Sequence, residues 1–323
     1  EFRLVLFRSV TNVVGDWSGG LSNRSETIPL LNPAGVEIDR VKYADGGDWA
    51  LRVRGPDDLG HRGWIWQNPA DAGSKSMELR NLLFSNNSGQ NWAASIPDFG
   101  TPGRQNSVFS LNIPPLIEEV SHHPAVPGPN DMVLVRARIT DDVSSANAVV
   151  HHRISSLTDD NFLAIPMRDD GLGGDERAGD GIHTALLPRQ PDGTVVEFYV
   201  EALDPIQSRT WPAPTSEKGT QGANLLYQVD RTIHRGRVPF YRLILTELES
   251  EEFLGISFDT AERNTNARFN ATFIAQLGDS FTTFYQCGIR LRGSGSRSRF
   301  PRNLKIELPS TDLWQGYDEF NLN

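Results

Sequence analysis

The chain predicts a mainly β protein, and three observations carry that expectation. Short runs rich in β-branched and aromatic residues (ETIPLL, VEIDRVKY, MVLVRARI, NAVVHHRI, TVVEFYVEA, FYRLILTEL, GIRLRG and NLKIELP) recur between clusters of Gly, Pro, Asn and Asp. Several of these runs alternate apolar with polar residues, the signature of strands with one face buried and one solvated. The 323 residues, 38% of them hydrophobic, are enough material for two or three domains with separate cores.

Composition narrows the function classes. A formal net charge of −10 argues against nucleic acid as the main partner, because phosphate binding needs Lys and Arg concentrated on one face. The one dense basic cluster is Arg290–Arg302. A single cysteine, Cys287, excludes an intrachain disulfide framework and suits a small buried apolar position in a strand. No run of about 18 apolar residues is present, so no membrane-spanning helix is expected. The opening EFRLVLFRSV lacks a basic region followed by a sustained apolar core and reads as a strand entered in mid-domain. With an equally abrupt end, the chain is expected to be a piece of a longer polypeptide.

Breaks in pattern set the expected domains at 1–111, 115–230 and 236–323. Asn112-Ile113-Pro114-Pro115 follows the turn-rich GTPGRQNS, and the stretch from Asp204 to Ala223 collects Pro, Ser, Thr and Gly. Arg231–Pro239, basic and weakly apolar, suits a linker. Glu262–Gln276 is the best helix candidate, although its period is loose.

In the first segment Asn32-Pro33-Ala34-Gly35 reads as a turn between two strands, and Trp17, Trp49 and Trp92 as core or rim aromatics. The ordered set L-S-N-x-x-E-T-I at Leu21–Ile28, I-D-x-V-x-Y at Ile38–Tyr43, S-M-E-L at Ser76–Leu79, Asn91-Trp92 and G-T-P-G-x-x-N at Gly100–Asn106 resembles the second half of a bacterial lamin-tail domain. That resemblance implies an immunoglobulin-like β-sandwich without its opening half, and so open-edged. The insertion Arg52–Asn68, with Trp64 and Trp66, fits no motif. An exposed Trp pair there would suit carbohydrate or partner contact, and anchoring of the loop into the sandwich is the plainer reading.

The second segment predicts another sandwich from its alternating strands. Ending in the A-x-D pattern Ala202–Asp204, it resembles the immunoglobulin-like or fibronectin-III-like modules of bacterial proteins. Within it, MRDDGLGGDERAGDGIHTA sets Asp169, Asp170, Asp175 and Asp180 among five glycines. Hard cations such as Ca²⁺ take oxygen ligands on a sharply turning backbone, which this loop offers. The spacing is not that of an EF-hand, and a hairpin whose carboxylates accept backbone N–H bonds is the competing reading. His122-His123 and His151-His152 are adjacent pairs in strands, so only one of each pair points to a given face. Without a cysteine or clear carboxylate partner they read as packing or solvated histidines.

The third segment ends in two predicted strands joined by a Gly/Ser/Arg loop. Gly293 and Gly295 permit close approach to a phosphate, Ser294 and Ser296 offer hydroxyls, and Arg292 and Arg297 offer charge. The competing reading is a hairpin loop whose arginines are solvated or ion-paired. P-x-Y-R-L at Pro239–Leu243, N-A-T at Asn270–Thr272, G-I-R-L-R-G-x-x-S-R at Gly288–Arg297 and R-N-L-K-I-E-L-P at Arg302–Pro309 resemble the start of a spore-coat CotH-type kinase domain. The resemblance implies a kinase-like α+β N-lobe, with Arg292–Arg297 and the strand lysine Lys305 facing ATP and Mg²⁺. Asp312, Asp318 and Glu319, the carboxylates after Pro309, match no catalytic-loop pattern, so no catalytic residue is assigned and this chain alone is expected to be inactive.

Together these resemblances imply part of a secreted or surface-displayed bacterial protein whose sandwich modules tether a CotH-type kinase. Its partners would be surface or matrix proteins. The alternative is a non-enzymatic adhesion or structural protein that binds partners or carbohydrate through its loops.

Overall fold

The computed structural model describes residues 19–70, 73–142, 146–158, 161–216, 218–232, 234, 236–293, 295–298 and 301–323. Trp17 and Ser294 lie outside the described residues. Among those described, the chain forms 19 strands and one α-helix, mainly β as its alternation predicts. It divides into two compact units. The first takes the described residues up to Leu51 together with Trp66–Ile113, and the second takes Arg52–Ile65 together with Pro114–Asn323.

The first unit is built on two-stranded antiparallel ribbons. Strand β1 (Ser25–Leu31) pairs with β2 (Glu37–Ala44), Ile28 opposite Val41. Their turn is the N-P-A-G step, where Asn32 Oδ1 accepts from the N–H groups of Ala34 and Val36, and Gly35 takes a φ of +77°. The chain then runs through a hairpin of β3 (Leu51–Arg54) and β4 (Trp64–Gln67) before β5 (Met77–Leu79) pairs with β6 (Trp92–Ala94). The buried Glu78 carboxylate accepts from Thr101 and from the main chain and hydroxyl of Ser107, and Asn106 Nδ2 donates to Leu79 O. The S-M-E-L and G-T-P-G-x-x-N motifs are thus stitched together by one buried acid. Trp49 and Trp92 pack with ring centroids 5.7 Å apart.

In the second unit, β7 (Leu116–His123), β8 (Val133–Thr140), β9 (Asn147–Ile154), β10 (Leu163–Pro166), β11 (Ile182–Leu187), β12 (Val195–Leu203), β13 (Ser208–Trp211) and β14 (Leu225–Gln228) make two antiparallel sheets. One has the order β11-β8-β7, the other β10-β9-β12-β13 with β14 also on β12. The alternation explains how they stack. Val133, Val135, Ala137 and Ile139 of β8 meet Ala148 and Val150 of β9 and Val196, Phe198, Val200 and Ala202 of β12 in one core.

Five further strands, β15 (Phe240–Ile244), β16 (Phe269–Leu277), β17 (Ser280–Leu291), β18 (Leu304–Glu307) and β19 (Glu319–Leu322), form an antiparallel sheet in sequential order. The helix expected over Glu262–Gln276 is corrected: those residues make a 3₁₀ turn at Ala261–Asn264 and then β16. Phe269, Thr272, Phe273 and Ile274 favour a strand and gain ladder partners on β15 and β17. The α-helix lies earlier, as α1 (Glu247–Gly255), and takes in the end of the FYRLILTEL run expected to be a strand. Thr246 caps it, its hydroxyl accepting from Glu249 N.

The second and third sequence segments share this unit. Leu226, Ile244 and Ile274 form a small core joined by Val126 and Val195, so the Arg231–Pro239 stretch read as a linker connects elements that pack together. Alternation along β17 sends Phe284 to the core of its own sheet and Tyr285 onto the core of the other two, and the bulge between Ala271 and Phe273 returns Cys287 to the same core as Phe284.

Candidate functional site

Alternation along β17, β18 and β19 splits the five-stranded sheet into two faces. Ile289, Leu291, Leu304, Ile306, Phe320 and Leu322 pack into its core. In register, Arg290 sits opposite Lys305, and Glu307 opposite both Gly288 and Glu319, so the other face gathers charge. Lys305 Nζ lies 2.6 Å from Glu319 and 3.6 Å from Glu307. Glu307 also binds Arg268, and Arg290 at 3.5 Å. Burial pushes the Glu307 carboxyl up, but the Arg268 hydrogen bond and charge, with Lys305 and Arg290, outweigh it and hold it below the usual carboxylate range.

The loop after β17 is a tight structure in its own right. Gly293 takes a φ of +96°, and a Cβ there would collide with the Ser296 hydroxyl. Arg297, 8% exposed, turns inward: Nε donates to Gly293 O at 2.7 Å, Nη1 to Thr265 O at 2.8 Å and Nη2 to Asn266 Oδ1 at 2.9 Å. Its guanidinium is therefore committed to the protein rather than presented to a ligand. Arg292 donates to Asn323 Oδ1 at 2.7 Å. Arg302 donates to the carbonyls of Phe253, Leu254 and Ile256 and closes the C-terminal end of α1. Of the predicted phosphate set, Arg292 and Lys305 keep partly open positions on this face, and a phosphate there would have to compete with Asn323 and Glu319.

The aspartate loop converges as its spacing suggests. One carboxylate oxygen each from Asp169, Asp175 and Asp180 lie within 4.8 Å of one another. All three also accept main-chain hydrogen bonds. Asp169 takes the N–H groups of Gly179, Asp180 and Gly181, Asp175 those of Gly171 and Arg177, and Asp180 that of Ile182. Asp170 stands apart, accepting from Leu172 N and lying 3.5 Å from Arg168. Chemically, the loop is a hairpin closed by its own carboxylates that also presents oxygen ligands of the kind a hard cation takes.

The histidines separate by face as expected, with His122 and His152 buried. His151 does have a carboxylate partner, which sequence inspection missed: Nε2 lies 2.9 Å from Glu201, and the ring stacks on Tyr199 at 4.6 Å. Register brings them together, since His151 faces Tyr199 across β9 and β12 with Glu201 two residues on.

Of the two tryptophans of Arg52–Asn68, Trp66 is half-buried and falls in the first unit, while the reading of Trp64 as exposed or anchored into the first segment is corrected. Trp64 is 3% exposed and belongs to the second unit, where its indole N–H donates to Glu249. Glu249 was missed altogether; its signal was the helix-start pattern T-x-x-E at Thr246–Glu249. Burial pushes its carboxyl up to about 7, against the lowering effects of Trp64, Arg54, Asn270 N and Arg52. No protein-family model and no curated protein matches the chain.

Proposed function

We propose that this chain is part of a multidomain bacterial surface or secreted protein in which immunoglobulin-like and fibronectin-III-like β modules carry a CotH-type kinase-like domain. The observation that carries the reading is the charged face of the five-stranded sheet. There a strand lysine, Lys305, is held between Glu319 and Glu307 beside a Gly/Ser/Arg turn. Such a lysine next to a glycine-bearing loop is the arrangement by which a nucleotide-facing lobe holds phosphates. ATP with Mg²⁺ would be the ligand in the longer protein, and serine hydroxyls of surface proteins the acceptor.

Titrating MgATP into the chain by calorimetry tests this. Binding is expected, weakened at least tenfold in Lys305→Ala, with no transfer of radiolabelled phosphate to the chain itself or to a generic acceptor. Wild-type protein that binds no MgATP rejects the nucleotide reading, and transfer above background rejects the expectation of inactivity.

The inward turn of Arg297 favours a second reading, an adhesive or structural protein that contacts matrix proteins or carbohydrate through its loops. Calcium at Asp169, Asp175 and Asp180, without Asp170, belongs equally to either reading, as an ion that would stiffen one module.

A further inference from the structure

The hairpin Arg52–Ile65 is seated in the second unit at the segment that leads into β16. Trp64 N donates to Arg268 O at 2.6 Å, and Gly63 lies so close to the Arg268 backbone that a Cβ would not fit. The hairpin tip is a tight turn: Asp58 and His61 exchange main-chain hydrogen bonds at 2.9 and 3.3 Å around Leu59 and Gly60, whose φ angles are +60° and +93°. This geometry fixes where the Asp58 carboxylate sits. Its Oδ2 accepts from Asn266 N at 2.6 Å and from Thr265 Oγ1 at 3.3 Å.

The same two residues hold Arg297 from the other side. Thr265 O accepts from Arg297 Nη1 and Asn266 Oδ1 from Arg297 Nη2, while Arg297 Nε donates to Gly293 O. A chain of hydrogen bonds therefore runs from Asp58 through Thr265 and Asn266 to Arg297 and the turn that carries Gly293. Asn266 Oδ1 also faces Arg290 Nη1 at 3.5 Å, and Arg290 stands opposite Lys305 in register. Thr265 and Arg297 are buried, so water replaces these partners only if the turn opens. Because the guanidinium is a rigid planar fork, a shift of its acceptors at 265 and 266 is passed on to Gly293.

We propose that Asp58 is a positioning residue for the Gly/Ser/Arg turn beside Lys305, acting through Thr265 and Asn266 on Arg297. The role of that turn as a phosphate-facing element rests on the nucleotide reading given above; the relay itself does not. A hairpin whose sequence lies in the first segment is on this account a working part of the third.

Hydrogen exchange of the whole chain without nucleotide reads the relay by itself. Asp58→Ala should speed exchange at Gly295–Ser298 about tenfold. Asp58→Asn keeps an acceptor for Asn266 N and should restore most of the protection. Asp57, which accepts from Gly60 N inside the hairpin, serves as the control, and Asp57→Ala should leave Gly295–Ser298 as in the wild type. Asn266→Ala, at an exposed position, removes the side chain that receives Arg297 and should match Asp58→Ala. Unchanged exchange at Gly295–Ser298 in Asp58→Ala, or an equal rise in Asp57→Ala, overturns the relay. If Asp58→Ala does not fold, unchanged exchange in Asn266→Ala overturns it equally. Calorimetric titration with MgATP separates the relay from the nucleotide reading. Affinity should fall about tenfold in Asp58→Ala and return in Asp58→Asn. Unaltered affinity in Asp58→Ala overturns the positioning role. Wild-type protein that binds no MgATP rejects the nucleotide reading instead, and the exchange result still decides the relay.

Discussion

The Nδ1 atom of His122 accepts the hydroxyl proton of Tyr285, joining β7 of one sheet to the bulged part of β17 in another. The tautomer follows from the second bond. Nε2 faces the carbonyl of Ala125 at 3.0 Å, which can only accept, so Nε2 carries the ring proton and Nδ1 must be the acceptor. His122 is buried and Tyr285 partly so, and the imidazole lies between Phe198, Tyr227 and Tyr285.

Removing the hydroxyl with Tyr285→Phe leaves His122 Nδ1 without its donor. A cost of about 1–2 kcal/mol at pH 7.5 is expected, measured by urea unfolding. His122→Phe leaves the tyrosine hydroxyl unmatched and should cost about 1–3 kcal/mol. The double variant should be less destabilised than the sum of the two, by roughly 1 kcal/mol, because neither orphaned group remains. Strict additivity would mean the bond contributes nothing.

The aspartate loop makes a second prediction. Asp169→Ala removes the acceptor of three main-chain N–H groups at once and should lower stability by about 1–3 kcal/mol, with exchange at Gly179–Gly181 accelerated. Asp170→Ala, which loses one local bond, should be close to neutral. Calcium held by Asp169, Asp175 and Asp180 should raise the thermal midpoint by several degrees over chelator-treated protein. An unchanged midpoint would leave the loop as a hairpin closed by its own hydrogen bonds.

Sequence legibility followed sequence distance. The strands of the second unit were plain because Val133, Val135, Ala137 and Ile139 bury every second residue, and the aspartate loop was plain because its ligands lie within twelve residues. The Glu262–Gln276 helix failed because a loose period carries less weight than Phe, Thr and Ile offered a ladder on both sides. Arg297 read as a phosphate ligand because its true partners are main-chain carbonyls at Gly293 and Thr265, which leave no mark in a sequence. Trp64 and Glu249 are 185 positions apart, and nothing local to either announces the other.

His122 and Glu249 pull the stability of the second unit in opposite directions over the same pH range. Burial lowers His122 to about 4, so below its ordinary 6.5 the unfolded chain binds a proton that the folded one refuses. Its contribution is full above pH 6.5 and is lost as pH falls to about 4. Glu249 is raised from 4.5 to about 7, so its contribution is full below 4.5 and is lost as pH rises to about 7. Each spans on the order of 3 kcal/mol, and between pH 4.5 and 6.5 the two slopes nearly cancel. Urea unfolding at pH 5.0, 5.75 and 6.5 should therefore show little net change from this pair in the wild type. Glu249→Gln should expose the histidine slope, gaining about 2 kcal/mol of stability across that interval as pH rises. His122→Phe should expose the glutamate slope and lose a similar amount. Parallel pH profiles for the two variants would show that at least one of these groups titrates normally in the folded protein.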